Sequence, residues 1–376
     1  MEHKKIDLMK ELKNKNPKLL KLLIGFDGFV DEIIHVVDKR LDNENFKRIE
    51  TIEDLAKRIQ KASGLSTNIE LVPVVKKIGG NGPIMCNAMS GAGANITYIG
   101  SLGYPTLNDV FLDLEKKVKV YTIENPGHSD ALEFNDGKLI LGKMSSLVNV
   151  TYEQLISVVD EDSLKEMISG IDMFATVNWS MLPNMTDLWR KLLKNIIKDL
   201  PKKNTRPFMF IDLADPEKRE GAEIVEALNL LKEFNGYFRV VLGLNKKEAY
   251  DVANVLDLFD DSSLRNMQVS LEDLNQALFK YLDIHGVVIH PVDRSCCVID
   301  GEFFEETGPY IEKPKLTTGA GDNFNAGFML GLLLDLKPYQ ALLTGMSTSG
   351  FYVRNAKSPE FNELIEFIGD WHEGLI

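Results

Sequence analysis

Short apolar runs alternate with longer amphipathic runs along most of the chain. The short runs predict strands, because they are rich in β-branched residues and are bounded by turn residues. Alternation of strands with helices over this length indicates a largely parallel sheet that carries helices on both faces. The clearest predicted strands are residues 19–24, 95–100, 172–177, 207–212, 238–242 and 287–290.

The longer runs predict helices, and two of them carry clear start signals. Thr151 and Gln154 form a capping-box pattern ahead of a helix that runs to Gly170. Thr51 is a predicted N-cap for a second helix over residues 53–63. The Lys-rich N-terminus predicts a solvated amphipathic helix. The other predicted helices are residues 83–90, 184–198, 220–234, 246–255, 271–282 and 320–334.

One segment departs from this alternation. Residues 131–134 and 138–141 flank the sequence Asn-Asp-Gly, which is a strong hairpin signal. With the strand-like run at 118–123 they predict a small antiparallel sheet, too thin to be a domain of its own. We expect one domain over residues 1–376 with a lid built from segments near 28–45 and 118–145. A surface flap is the alternative to a lid.

Composition and charge exclude several classes of protein. The net charge of −13 argues against a nucleic-acid partner, which needs a basic surface. No apolar run is long enough to cross a bilayer, so we expect no membrane partner. The three cysteines are odd in number and two of them are adjacent, so they indicate a reducing, cytoplasmic location rather than a disulfide framework.

The most informative stretch is Thr-Thr-Gly-Ala-Gly-Asp at residues 317–322, directly before a predicted helix. A glycine-rich turn that opens a helix directs free N–H groups and the positive end of the helix dipole at one point, which suits a phosphate group. Asp322 then lies in the first turn, beside the phosphate, where a carboxylate can accept a proton from an attacking hydroxyl. The alternative is that Gly319 and Gly321 only shape the turn.

Two further stretches are candidate contacts for a polyol. Gly80 and Asn81 lie where residues 79–82, Gly-Gly-Asn-Gly, open another predicted helix. Asp27 and Asp31 follow the first predicted strand, at the sheet edge where open α/β sheets bind ligands, and a carboxylate can accept bonds from two neighbouring hydroxyls. A turn with an Asn cap and an ordinary acidic loop are the alternatives.

Asn245 and Glu248 follow the strand predicted at 238–242. An amide and a carboxylate three residues apart at a helix start could hold waters around Mg²⁺ or touch phosphates. The simpler interpretation is an Asn cap with an acidic residue in the first turn, and for this stretch alone it is the favoured one.

These four stretches, in this order and spacing, resemble the ribokinase family of carbohydrate kinases, also called the phosphofructokinase-B family. Residues 317–328 are similar to the C-terminal signature of that family, and residues 79–103 to its N-terminal signature. Asn245 and Glu248 match its Asn-x-x-Glu motif. The resemblance covers roughly residues 20–360.

The resemblance implies a three-layer α/β/α sandwich with a mainly parallel central sheet and a small β-sheet lid. It also implies ATP and Mg²⁺ as cofactors and a sugar or nucleoside as the phosphate acceptor. A homodimer that forms through the lid is a further expectation.

By position, the resemblance also assigns roles to single residues. Asp322 becomes the general base, and the three preceding residues form the anion hole for the transferred phosphoryl group. The residues that are expected to bind ligands are Asp27, Asp31, Gly80 and Asn81 for the acceptor, Asn245, Thr318, Gly319 and Gly321 for the nucleotide, Gly319, Ala320 and Gly321 for the anion hole, and Glu248 with Asn245 for Mg²⁺ through water.

The chain also departs from the family pattern. Leu316 replaces an Asp that is tied to a monovalent-cation site, and Ile84 replaces an Asn near the substrate. Residues 290–293, His-Pro-Val-Asp, replace a Thr/Gly-rich turn that contacts the nucleotide, and Met346 replaces a His or Asn near the adenine. About two dozen residues, including the predicted helix 53–63, are inserted before Gly79.

We therefore predict an ATP-dependent kinase that phosphorylates a hydroxyl of a small, unphosphorylated sugar. Relatives that bind a second phosphate need cations there, and residues 79–87 supply none, which leaves Lys143 as the obvious candidate. A nucleoside or sugar-phosphate kinase is the alternative within the same fold. A sugar-binding regulator that has lost catalysis is the alternative from another class.

Overall fold

The computed structural model describes residues 2–201 and 205–376. The strands are β1 (Lys21–Phe26), β2 (Phe29–Arg40), β3 (Phe46–Arg48), β4 (Leu71–Gly79), β5 (Asn95–Gly100), β6 (Lys119–Thr122), β7 (Gly127–Phe134), β8 (Gly137–Lys143), β9 (Met173–Thr176), β10 (Phe208–Asp212), β11 (Arg239–Leu244), β12 (Gly286–Ile289), β13 (Arg294–Ile299) and β14 (Glu302–Thr307).

The helices lie between these strands and after the last of them. They are α1 (Glu2–Lys13), α2 (Ile52–Lys61), α3 (Asn81–Gly91), α4 (Leu112–Glu115), α5 (Tyr152–Val158), α6 (Glu161–Ser169), α7 (Met185–Asn195), α8 (Gly221–Phe234), α9 (Lys246–Val255), α10 (Asp261–Arg265), α11 (Leu271–Leu282), α12 (Ala320–Leu333), α13 (Pro338–Asn355) and α14 (Phe361–Glu373).

A nine-stranded sheet forms the middle layer, in the order β14-β13-β12-β11-β10-β9-β1-β5-β6. Its neighbours pair in parallel from β12 to β6, while β13 and β14 add an antiparallel edge. The carboxyl ends of the parallel strands therefore meet at one edge of the sheet, where ligands of such folds bind.

Two apolar clusters cover the two faces of this sheet. In β1, Leu23 belongs to one cluster, and Leu22 and Ile24 belong to the other, because successive side chains of a strand point to opposite faces. Helices α5–α9 and α11 pack on the first face, while α1, α3, α12, α13 and α14 pack on the second. The predicted three-layer α/β/α sandwich is confirmed.

The predicted strands of the large sheet are present within one or two residues of their expected bounds. The helix expected from Thr151 to Gly170 was wrong as one element, since the structure divides it into α5 and α6. Asp160 causes the break, because its carboxylate accepts the N–H of Ser163 at 2.9 Å and caps a new helix.

A second, five-stranded sheet has the order β3-β2-β7-β8, with β4 paired to β2. The hairpin at Asn135-Asp136 is confirmed, since Phe134 pairs with Gly137 across it. The expectation that residues 118–123 belong to this small sheet was wrong, because β6 pairs in parallel with β5 at the edge of the large sheet. The small sheet is mixed rather than antiparallel, since β2 and β7 run in parallel.

The inserted helix α2 covers one face of the small sheet. Leu55 of α2 packs there in a separate apolar cluster with Ile34 and Val36 of β2 and Leu132 and Phe134 of β7. This insertion therefore gives the small sheet an apolar core of its own. That the sheet closes over a site stays a prediction.

Within the part of the chain that the structure describes, no helix combines the length and the apolar character needed to cross a bilayer.

Candidate active site

Polar side chains gather where the parallel strands end. Asp27 follows β1, Asn178 follows β9, Asp212 ends β10, Asn245 follows β11 and His290 follows β12. The starts of α3 and α12 lie at the same edge, so residues from both glycine-rich stretches join this group. Most of the predicted site is thus assembled by the parallel order of the sheet.

The 317–322 turn leads into α12 with Gly319 at φ +91°, a backbone conformation that side chains disfavour. A Cβ at Gly319 would lie 2.8 Å from the hydroxyl oxygen of Tyr352 and 3.3 Å from Ile84. The N–H groups of Gly319, Gly321 and Asp322 make no backbone hydrogen bond within the described residues. The turn therefore offers free donors at a helix start, as an anion site requires.

Asp322 lies in the first turn of α12, as predicted. Burial raises the pKa of its carboxyl well above the usual range, and the negative charges of Asp212, Asp27 and Glu248 raise it further. A hydrogen bond from the Asn81 side chain acts in the opposite direction. A carboxylate with a raised pKa binds a proton readily, which suits a general base.

Asp31 belongs to the small sheet and lies near the same group of polar residues as Asp322. It pairs with Lys77 in β4 and with Ser129 in β7, and both lower the pKa of its carboxyl, which burial raises. The negative charges of Asp322 and Asp31 both raise the pKa of the Tyr352 hydroxyl. Asp31 and Asp322 therefore both lie near Tyr352.

Gly79 and Gly80 bring the small sheet against this space. A Cβ at Gly79 would lie 2.2 Å from a carboxylate oxygen of Asp31, and a Cβ at Gly80 would lie 2.7 Å from one of Asp27. Gly80 also has φ +91°. Both glycines are thus required by the close approach of the two carboxylates.

The structure corrects the role expected of Asp27. Its side chain is fully buried and accepts hydrogen bonds from the Gly82 N–H at 2.9 Å and the Asn178 amide at 2.7 Å. The Tyr98 hydroxyl and the Asn81 N–H also donate to it. No face of this carboxylate is open to a ligand. Asp27, although distant in sequence, therefore accepts the first N–H groups of α3 instead of binding a sugar.

Asn245 and Glu248 form a reciprocal capping box at the start of α9. The Asn245 side chain accepts the Glu248 N–H at 2.9 Å, and Glu248 accepts the Asn245 N–H at 2.8 Å. The simpler interpretation of this motif, a helix cap, is therefore correct. Asn245 also lines a cavity beside the 317–322 turn, so capping does not exclude a ligand contact.

Asp212 is a site residue that the motif search missed. It is 6% exposed, and its carboxylate accepts the Ala214 N–H and the Asn325 amide, both at 2.8 Å. Burial and then the charge of Glu248 raise its pKa well above the ordinary value. Its position as the last residue of a predicted strand was the signal that could have found it.

A cavity of about 330 Å³ opens beside the 317–322 turn. Its walls include Pro291, Val292, Pro309, Tyr310, Phe324 and Met346, so it is apolar enough for a planar base. His290 also lines it, with its ring 4.8 Å from Phe324, and burial lowers the pKa of His290 to about 4. The two altered positions, the 290–293 turn and Met346, thus share one cavity, and Thr317 rather than Thr318 lines it.

The donors and acceptors present can serve two kinds of charged group. The helix start suits an anion. Besides burial, the charge of Glu248 raises the pKa of Asp212, and the charges of Asp212 and Glu248 both raise the pKa of Asp322, so a cation beside these carboxylates would be favourable. Across residues 2–201 and 205–376, no group of three or more His, Cys, Asp or Glu is arranged to hold a metal ion directly. A cation here would therefore be held in part through water or through a bound anion.

The sandwich, the small second sheet and the glycine turn before Asp322 together define a carbohydrate kinase of the ribokinase family. Residues 7–371 match the family described as prokaryotic ketohexokinase, and the chain belongs to that family. It is 27% identical over 353 residues to a ketohexokinase from Haloferax volcanii, a match that covers 92% of this chain and 90% of that protein. The chain is accordingly a phosphotransferase that uses a nucleotide.

Solved structures share the fold at lower identity. Ribokinase from Thermotoga maritima has a TM-score of 0.55 at 15% identity, covering 93% of this chain and 99% of that chain. A phosphofructokinase-2 mutant from Escherichia coli has a TM-score of 0.62 at 15% identity, covering 94% and 99%. Ribokinase from Cryptococcus neoformans in complex with ADP has a TM-score of 0.57 at 16% identity, covering 93% and 99%.

Proposed function

We propose that this protein transfers the γ-phosphate of ATP to a hydroxyl of an unphosphorylated ketohexose. The observation that carries the proposal is the position of Asp322, in the first turn of a helix with free N–H groups and near Tyr352, as Asp31 also is. The ketohexose is suggested by the family that the chain matches and by the Haloferax volcanii relative.

In the proposed reaction, Asp31 and Asn81 hold the sugar while Asp322 accepts the proton of the attacking hydroxyl. The sugar oxygen then forms a bond to the γ-phosphorus, and the bond between that phosphorus and the β,γ-bridging oxygen of ATP breaks to release ADP. The N–H groups of Gly319 and Gly321 stabilise the charge on the transferred phosphoryl group, whereas the Ala320 N–H already donates to the Thr317 carbonyl at 3.1 Å. The apolar cavity beside Phe324 and Met346 holds the adenine, and Thr318 and Asn245 lie near the phosphates.

Mg²⁺ fits the acidic side of this site. Asp212 and Glu248 are buried, their pKa values are raised chiefly by burial, and each still has lone pairs on its carboxylate. We assign these two residues, with Asn245, to a Mg²⁺ ion held through water. When bound, the ion would neutralise charge on the ATP phosphates.

The cations near the acceptor side favour a neutral sugar over a sugar phosphate. Lys143 forms an ion pair with Asp130 at 2.9 Å, and Lys77 lies opposite Asp31, whose negative charge it balances. Neither lysine is free to hold a second phosphate without leaving a buried or half-buried carboxylate unpaired. Intact Asp322 and both glycines of the turn argue against a regulator that has lost catalysis.

Release of ADP from ATP in a coupled assay tests this function. We expect ketohexoses to support the fastest turnover, aldohexoses and nucleosides to support little, and fructose phosphates to support less than the free sugar. Phosphorus NMR of the product should show a new sugar monophosphate ester. Turnover with a nucleoside or a sugar phosphate above that with every ketohexose would contradict the proposed acceptor.

A homodimer through the small sheet remains a prediction. Helix α2 already covers one face of that sheet, so a second copy would have to use the other face. Val75 and Ile140 lie in one cross-strand row with Ile33 on that face, and they are 44% and 61% exposed. Light scattering of the protein and of an Ile140→Glu variant tests whether this row joins two copies.

A further inference from the structure

We propose that Tyr352 is a positioning residue, which holds the 317–322 turn in its catalytic shape through the carbonyl group of Thr318. This inference rests on the proposed function, since it concerns how the anion hole of that reaction is kept ready. The proposal assigns no contact between Tyr352 and the transferred phosphoryl group.

The first observation is a hydrogen bond between two distant parts of the chain. Tyr352 lies near the end of α13, is 8% exposed, and donates its hydroxyl to the Thr318 carbonyl oxygen at 2.8 Å. The peptide unit that contains this carbonyl also contains the N–H of Gly319, and the unit is planar. A donor that fixes the direction of the carbonyl therefore fixes the direction of the Gly319 N–H as well.

The second observation is that this peptide unit needs an external restraint. Gly319 is the N-cap of α12, no side chain of its own can cap the helix, and its positive φ is a region that glycine enters and leaves easily. The hydroxyl oxygen of Tyr352 and the side chain of Ile84 lie 2.8 Å and 3.3 Å from the position that a Cβ of Gly319 would occupy. Of these two neighbours, Ile84 supplies only packing, whereas Tyr352 also supplies a hydrogen bond.

The third observation concerns the protonation of the hydroxyl. Burial and the negative charges of Asp322 and Asp31 raise the pKa of Tyr352 to about 12. The hydroxyl therefore keeps its proton over the whole pH range in which a kinase works. It remains a donor to the Thr318 carbonyl and does not compete with Asp322 as a base.

The test compares two tyrosine-to-phenylalanine substitutions. Tyr352→Phe removes the bond to Thr318, and Tyr250→Phe removes a bond of the same type, from a buried tyrosine hydroxyl to the Val269 carbonyl at 2.5 Å. Loss of a partly buried hydrogen bond should lower the thermal stability of both variants. We expect kcat to fall about 10- to 100-fold in Tyr352→Phe, with KM for ATP changed less than about threefold, and to stay within about twofold of the wild type in Tyr250→Phe.

Several outcomes would overturn the proposal. A Tyr352→Phe variant with more than half of the wild-type kcat, or with a higher KM for ATP at unchanged kcat, would show that the hydroxyl does not hold the turn. Equal losses of kcat in both variants would indicate a general effect of stability. Asp322→Asn in the same assay separates the two ideas, because an active Asp322→Asn variant would contradict the proposed base whatever Tyr352→Phe does.

Discussion

Two glycine-rich helix starts lie side by side in this protein, and they differ in whether the chain itself supplies an acceptor for their free N–H groups. The start of α3 contains Gly80 and the start of α12 contains Gly319, and both glycines have φ +91°. At α3, the first N–H groups donate to the carboxylate of Asp27. At α12, the N–H groups of Gly321 and Asp322 have no backbone acceptor within residues 2–201 and 205–376.

The difference shows that a glycine-rich turn before a helix is not sufficient for an anion site. Free N–H groups at a helix start attract whatever negative charge lies nearest. In α3 that charge belongs to the chain itself, and the start serves stability. In α12 the neighbouring carboxylate, Asp322, belongs to the helix and lies beside its end, so the donors stay available to a phosphate group.

The largest effect is expected at the start of α12, where the N–H groups are free. We predict that Asp322→Asn lowers kcat by about two to four orders of magnitude, because the attacking hydroxyl loses its proton acceptor. The KM for ATP should change little, and folding should be intact because one of several mutually repelling buried carboxylates becomes neutral. Steady-state kinetics and thermal unfolding measure both. A variant that retains more than about a tenth of the wild-type kcat would exclude Asp322 as the base.

At the start of α3, where the N–H groups donate to Asp27, the expected loss is in the free energy of unfolding. Asp27→Ala leaves the Gly82 N–H and the Asn178 amide buried without their acceptor, which should cost about 2–4 kcal/mol of the free energy of unfolding at neutral pH. Urea unfolding measures this loss, and Asp322→Ala is the matched control that should lose much less. Similar losses in the two variants would remove the distinction between the two helix starts.

The pH dependence of stability sharpens the comparison further. Burial, the main cause, raises the pKa of Asp27 from 3.8 to about 6, so the folded protein binds this proton more tightly than the unfolded chain. The stability contributed by this proton is complete below about pH 4 and is lost as the pH rises through 6. At 1.4 kcal/mol per pKa unit, the loss is about 3 kcal/mol.

Asp27→Asn should remove this pH dependence. The fold should tolerate it, because the buried carbonyl oxygen of the Asn178 side chain has no partner and can accept from the new amide after a flip. Relative to the wild type, the variant should therefore gain stability between pH 4 and pH 7 in urea unfolding at constant ionic strength. Parallel curves for the two proteins would mean that Asp27 is not protonated in this range.

Asp31 tests the acceptor side of the site. We expect Asp31→Ala to raise the KM for the sugar about 10- to 100-fold and the KM for ATP far less, because about 1–3 kcal/mol is lost when substrate hydroxyls lose an acceptor. Glu32→Ala is the control, since the next residue of β2 points to the opposite face of the small sheet. Equal effects on both substrates would assign Asp31 to stability rather than to the sugar.

The smallest effect is expected for monovalent cations. The Leu316 side chain offers no oxygen to K⁺, the Val353 carbonyl accepts the Lys315 N–H at 2.8 Å, and the Thr318 carbonyl accepts the Tyr352 hydroxyl. We therefore predict less than about a twofold difference in kcat/KM between potassium, sodium and tetramethylammonium chlorides at equal ionic strength. Activation by K⁺ of about tenfold in the wild type would contradict this, whereas a response that arises only in Leu316→Asp would support it.

Local pattern was sufficient for the large sheet and for the helix starts. The strands at β5 and β10 and the helices α9 and α11 lie where periodicity and caps predicted them, because their side chains are sorted by one buried face. The 317–322 turn was also readable, since a positive φ and close backbone contacts leave few residues other than glycine possible. These features depend on neighbours within a few residues.

Long-range pairing was not readable in the same way. Strand β4 contains Pro73, Lys76 and Lys77 and does not alternate regularly between apolar and polar residues. Its local sequence therefore did not predict that it would pair with β2. The run that became β6 has the pattern of a strand, but its pattern does not say which of the two sheets it joins. Pairing partners are chosen by the whole chain, and a strand pattern only states that a partner is needed.

The sequence by itself determined the class of fold, the glycine turn and the presence of Asp322 at the start of a helix. Only the tertiary structure decided which carboxylate would be closed and which would be open. Asp27 and Asp31 are four residues apart and look alike in the sequence, yet one follows β1 and accepts the first N–H groups of α3, and the other lies in β2 near Tyr352. The physical reason is that burial and hydrogen-bond partners depend on segments distant in the chain, and these set both the pKa of a carboxylate and its access to a ligand.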